Sequence, residues 1–98
     1  MSKNYFIYIL KLEEKKYYVG YTNNIDATLQ YHNNGYNNWT KNYKIVKVKK
    51  LIKIKDNLCE IKTKEKTLEL MKKYKWQNVR GSIWNKINID MPIEIKKN

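Results

Sequence analysis

One cysteine, one proline, three glycines, one histidine and a single arginine occur in these 98 residues, and each shortage closes off a class of protein. Cys59 has no second thiol to pair with, which excludes an internal disulfide framework and a cysteine-rich zinc finger. A lone His32 excludes a histidine-rich metal site. The apolar stretch near the start runs only from Phe6 to Leu10. That is too short for a signal-peptide core, and no run reaches the length of a membrane span, so a soluble intracellular protein is expected. No repeat recurs at solenoid periods, and the length suits one small domain around one modest core. With 42% hydrophobic residues the chain has enough apolar material to fold.

What the chain has in excess is lysine. Twenty of its 21 basic residues are lysine against nine acids, giving a formal net charge of +12, and 13 asparagines accompany them. A field of that sign favours nucleic acid or another anionic surface. The same lysine and asparagine enrichment also arises from an AT-rich coding sequence, so charge alone leaves both readings open.

Tyr5–Leu12 is dense in aromatic and β-branched residues and reads as a buried strand. A charged turn at residues 13–16 leads into a second strand at Tyr17–Tyr21, which predicts an antiparallel hairpin. Gly20 inside that strand points to a bulge or to the close approach of another group. Asn23 or Asn24 then caps a helix carrying Ile25, Leu29 and His32 on one face, and Asn33, Asn34 and Gly35 end it. A polar loop from Gly35 to Asn42 holds Trp39, Thr40 and Lys41. Residues 43–54 read as a long strand with a bulge near Lys49–Lys50. A second helix is clearest over 62–75, Gly81 breaks the chain, and the alternating apolar residues from Trp84 to Ile95 suggest an edge strand or an extended tail. The order predicts a small α+β domain at 1–84, a central antiparallel sheet flanked by helices, with 85–98 as a C-terminal extension.

Phe6-Ile7-Tyr8 and Tyr18-Val19-Gly20, at this spacing in a hairpin, resemble the paired motifs of the GIY-YIG nuclease superfamily. The helix carrying Leu29 and His32, the Trp39-Thr40-Lys41 loop, and Asn78-Val79-Arg80-Gly81 are similar as well. The last resembles a subgroup, found in large DNA viruses and eukaryotes, that ends in Val-Arg-Gly-Gly. The resemblance implies phosphodiester hydrolysis with Mg2+ held by a helix glutamate. It also implies Tyr8 and Tyr18 at the attacking water; His32, from its place on the helix face, reads either as a hydrogen-bonded core residue or as a catalytic residue at the phosphate. The resemblance further implies an arginine eight residues after Gly20, to stabilise charge on the phosphate.

At that position stands Thr28, which offers neither a permanent charge nor a bidentate fork. The acid expected for the metal aligns near Thr63, leaving Glu65, or alternatively Glu69, as the carboxylate; Glu65 is expected on the buried face with Leu68. The reading is therefore a nucleic-acid-binding relative, degenerate at Thr28 and at the metal ligand. The alternative is an active Mg2+-dependent endonuclease in which a lysine such as Lys41 stands in for the arginine. In either case Lys41 and Lys44 rim the contact region, Trp39 is a candidate for stacking on a base, and the partner is expected to be DNA held with little sequence preference. Arg80, the one arginine left, is expected in a structural turn.

Overall fold

The computed structural model of the protein describes residues 4–96; the outermost residues of the two expected units, 1–84 and 85–98, lie outside them. Strand β1 (Tyr5–Leu12) turns into β2 (Tyr17–Thr22), and helix α1 (Ile25–Asn33) and the short helix α2 (Asn38–Asn42) follow. Strand β3 (Ile45–Ile54), helix α3 (Cys59–Tyr74), strand β4 (Val79–Gly81) and a last helical turn α4 (Ile93–Lys96) complete the chain. The sheet order is β3-β1-β2-β4. The α+β architecture, a four-stranded sheet flanked by helices, is as the sequence predicts.

The central strands pair antiparallel as expected, and one edge pairing is parallel. β1 pairs antiparallel with β2 and with β3, but β4 runs parallel to β2, Tyr17 opposite Val79 and Val19 opposite Gly81. The cause is α3, which carries the chain from one edge of the sheet to the other. A helical crossover of that kind delivers a strand parallel to the one it left. Because β1 and β2 lie between those edges, α3 covers both.

Successive residues of a strand point to opposite faces, and β1 is buried on both. Ile7 and Ile9 join Tyr17, Val19, Leu70, Met71, Val79 and Trp84 under α3. Tyr8, Leu10 and Leu12 join Trp39 on the other face, where Ile25, Leu29 and Tyr43 close the layer. β3 stays in step by bulging. Ile9 pairs with Lys50 and Leu10 with Val48, which leaves Lys49 as the extra residue. The bulge resets the alternation, so Ile52 and Ile54 meet the α3 core while Val48 meets the other, and a second register shift between Lys11 and Leu12 brings Ile45 to that side too.

Asn24 caps α1 by accepting from the Ala27 N–H at 3.1 Å. Gly35, at φ +81°, takes the chain out of the helix through the left-handed region. Inside the stretch expected as loop, Asn37 accepts from the Trp39 and Thr40 N–H groups and nucleates α2. α3 starts at Cys59, three residues ahead of the clearest periodicity, with the Cys59 thiol buried as a small hydrophobe. The apolar residues beyond Trp84 make no strand: Trp84 bridges back to Gly81, Ile89 and Ile95 pack on the α3 core, and Pro92 opens α4. Among the described residues no helix is long and apolar enough to cross a membrane.

Candidate functional site

On the sheet face away from α3, Tyr8 lies opposite Gly20, and Tyr18 lies opposite Leu10, so the two tyrosines are diagonal neighbours on one face. Their ring centroids are 6.2 Å apart. A Cβ built at Gly20 would overlap the Tyr8 hydroxyl and ring. Glycine is thus required here by the ring lying across it. Gly20→Ala is expected to destabilise the protein by about 1–3 kcal/mol, the range for overpacking a filled core. Thermal unfolding checks this, and a melting temperature equal to wild type would show that Tyr8 does not occupy that place.

α1 brings His32 over the pair. Tyr8 Oη lies 2.9 Å from His32 Nε2, and His32 Nδ1 lies 2.8 Å from Thr40 Oγ1. A neutral imidazole carries one N–H and one lone pair, so it donates to one of these hydroxyls and accepts from the other. His32 is only 3% exposed, and burial pushes its pKa down to about 4. The Tyr8 phenol is held far above its ordinary range, by burial first and then by the neighbouring Tyr18 and Tyr31 hydroxyls. Burial also raises Tyr18, against a hydrogen bond from Asn37 that lowers it. The Tyr18 hydroxyl donates to Asn85 Oδ1 at 3.3 Å. At neutral pH the set is therefore uncharged, and moving a proton from such a phenol to such an imidazole is steeply uphill.

Thr28, at the position where the resemblance implies an arginine, donates its hydroxyl to Thr22 Oγ1 at 2.7 Å and ties α1 to the end of β2. The single arginine does not take its place there: it is buried in β4, donating to backbone carbonyls.

Glu65 and Glu69 are not brought to the tyrosines. Glu65 pairs with Lys62 at 3.2 Å and Glu69 with Lys66 at 2.7 Å, on the exposed side of α3. They border a groove with Ile7, Ile52 and Ile54, and Ile7 and Tyr8 point to opposite faces. The expectation that Glu65 shares a buried face is corrected. The buried stripe of α3 runs through Thr63, Thr67, Leu70 and Met71, and the Leu68 that was to guide Glu65 inward is itself only half-buried. Thr63, where the metal acid aligns, is buried with its hydroxyl unpaired. Magnesium takes carboxylate oxygens and water. The side chains around Tyr8 are phenols, an imidazole, a threonine hydroxyl and amides, so this donor set does not fit that ion. Among the described residues no three His, Cys, Asp or Glu side chains converge.

Lys41 and Lys44 border a cleft of about 270 Å³ whose wall includes His32, Thr40 and the Asn33–Gly35 turn. Trp39 is corrected as a stacking residue. It is 2% exposed, donates its indole N–H to the Tyr17 carbonyl at 3.0 Å, and carries the Arg80 guanidinium 4.2 Å above its ring. Sequence reasoning missed the two residues that take a surface position here, Tyr31 and Tyr36. Tyr31 packs edge-on against His32, with centroids 5.3 Å apart, and Tyr36 stacks on Tyr31. The available signal was that Tyr31 is next to His32, one step off the buried face of α1.

Compared with known families, residues 4–88 match the model described as GIY-YIG catalytic domain. No curated protein and no solved structure gives a match.

Proposed function

Since the chain belongs to the GIY-YIG catalytic domain family, we propose that it has kept that family's dealings with nucleic acid as a binding protein that does not cut. It would hold DNA through phosphates, with little sequence preference. The observation that carries this reading is the chemistry of the Tyr8–His32–Thr40 set. It is buried and uncharged, with Thr28 where a cation is needed and Glu65 and Glu69 on the far side of the sheet. Stabilising charge on a phosphoryl group in flight is most of what such a site must do, and these groups do not supply it.

The means of holding a polyanion remain. Between Asp26 and Asp56 the sequence has no acid and seven lysines, Lys41, Lys44, Lys47, Lys49, Lys50, Lys53 and Lys55. All seven are exposed, and five follow one another along or just past the edge strand β3. Lysine contacts phosphates as a point charge and reads bases poorly.

Two assays test the reading. Titration of labelled duplex is expected to show binding at low salt. Four neutralised phosphates would weaken it on the order of 100-fold between 50 and 200 mM salt. Incubation with plasmid and branched DNA in magnesium or manganese is expected to leave both intact. Thr28→Arg is expected to tighten binding without cutting, because it adds a phosphate contact and no carboxylate. Metal-dependent nicking by the wild-type chain would overturn the proposal in favour of an active endonuclease. Affinity indifferent to salt would leave the lysines as products of coding bias.

A further inference from the structure

The rings described above form a continuous series from core to surface. Tyr8 meets His32 at 5.8 Å between centroids, His32 meets Tyr31 at 5.3 Å, and Tyr31 stacks on Tyr36 at 5.6 Å with 27° between planes. Exposure rises along it, from 4% at Tyr8 to 48% at Tyr31 and 69% at Tyr36. An exposed aromatic pair of this size is held open at some cost, and here its geometry is fixed. The Tyr31 hydroxyl donates to the Tyr36 carbonyl at 3.3 Å, and the Gly35 turn folds the backbone so that the Tyr36 N–H reaches the Tyr31 carbonyl. The same turn forms one wall of the cleft bordered by Lys41 and Lys44.

Flat exposed rings beside a basic cleft are the two parts of a single-strand site: the cations follow the phosphates and the rings take the bases. In a duplex the base faces are occupied by stacking on one another, so a ring platform gains nothing from them. We infer that Tyr36, supported by Tyr31, is a stacking platform for an unpaired nucleobase whose flanking phosphates lie at Lys41 and Lys44. The chain then selects nucleic acid with single-stranded segments. This rests on the nucleic-acid reading above and adds the class of structure that is preferred.

The test uses the full chain and three labelled probes of equal length: a single strand, the corresponding duplex, and a single strand with a central run of abasic sites. DNA and RNA versions of the single strand distinguish which sugar is favoured, and preference for either over duplex supports the inference. Wild type is expected to bind the single strand more tightly than the duplex, although the duplex carries more charge. Tyr36→Ala is expected to weaken single-strand binding about 5- to 150-fold, the range for losing one stacked base. It should leave binding to the abasic strand unchanged, and Tyr36→Trp should restore affinity. Since Tyr36 is exposed, its replacement should leave the circular dichroism spectrum and melting temperature as in wild type. Equal weakening of the abasic and intact strands, or duplex bound more tightly than single strand, overturns the platform while nucleic-acid binding stands. Absence of binding to every probe at low salt overturns both.

Discussion

Arg80→Ala is expected to cost at least about 4 kcal/mol of stability, a large part of the 5–15 kcal/mol that a domain of this size has. Arg80 is 3% exposed and four of its five N–H donors are used. Nε donates to the Lys86 carbonyl at 2.8 Å, Nη1 to those of Trp76 and Val79 at 3.1 and 2.9 Å, and Nη2 to that of Ile87 at 2.7 Å. Its plane lies over Trp39. One side chain thus fastens the turn before β4, β4 itself, the segment beyond Trp84, and α2. Truncation removes four hydrogen bonds to backbone carbonyls, at about 1–3 kcal/mol for each carbonyl that then stays unpaired. Arg80→Lys keeps the charge but offers three donors from one point, and it loses the flat stack on the indole. It should still cost about 2 kcal/mol or more. Urea unfolding measures both, as a lower midpoint with unchanged slope. Amide exchange should quicken in residues 84–90 ahead of the β1–β2 hairpin. Wild-type stability in Arg80→Lys would show that the fork geometry is not what matters.

That role also explains how the one arginine present relates to the one implied at Thr28. Arg80 is buried and commits four of its five N–H donors to backbone carbonyls, so it is not placed to stand in at Thr28. The Asn78-Val79-Arg80-Gly81 motif predicts a structural turn for Arg80, but Arg80 lies in the three-residue strand β4, which was not legible because Gly81 looks like a break and so short a strand shows no alternation. The hairpin, the Asn24 cap and the β3 bulge were legible because each follows from local chemistry: a β-branched run, a capping amide, two lysines out of phase. The glycine at position 20 was legible as a close approach, and the structure supplies the Tyr8 ring as its cause.

What was not legible depends on which way helices turn in space. Glu65 and Leu68 lie three residues apart, which puts them on adjoining parts of α3. The core edge falls between them because Thr63 and Thr67, polar in sequence, are the buried positions. Thr67 manages this by donating its hydroxyl to the Thr63 carbonyl at 2.7 Å. Trp39 invites a stacking role as an aromatic in a polar loop, until the five-residue helix α2 turns it inward. Tyr36 occupies the same polar loop, one residue before the Asn37 cap, and is left outside by the same turn.

Stability should fall steadily as pH drops from 7.5 to 5, and His32 should account for it. Its folded pKa of about 4 lies below the ordinary 6.5 that applies to the unfolded chain. Between those values the unfolded state binds a proton that the folded state refuses, so stability is complete above about pH 6.5 and is lost as pH falls toward 4. The expected loss is about 2 kcal/mol by pH 5 and about 3 kcal/mol by pH 4. The side chains against the imidazole are Tyr8, Tyr18, Tyr31 and Thr40, none of them charged, and the cleft beside it carries Lys41 and Lys44. Among the described residues no acid is seen against the ring, and a doubly protonated ring would need both hydroxyls to accept. Because the chain has one histidine, no second imidazole confuses the window from pH 7.5 to 5. Glu69, lowered chiefly by its hydrogen bond with Lys66, loses its contribution in the same direction at more acid pH still. Urea unfolding across this window tests the claim, with His32→Gln as the control that keeps a hydrogen-bonding side chain but does not titrate. The variant should be less stable at pH 7.5 and flat between 7.5 and 5. A wild-type profile that is already flat, or a slope that survives in His32→Gln, would show that the imidazole does not set the pH dependence. The depressed His32 pKa, one support of the non-cleaving reading, would then have to be given up.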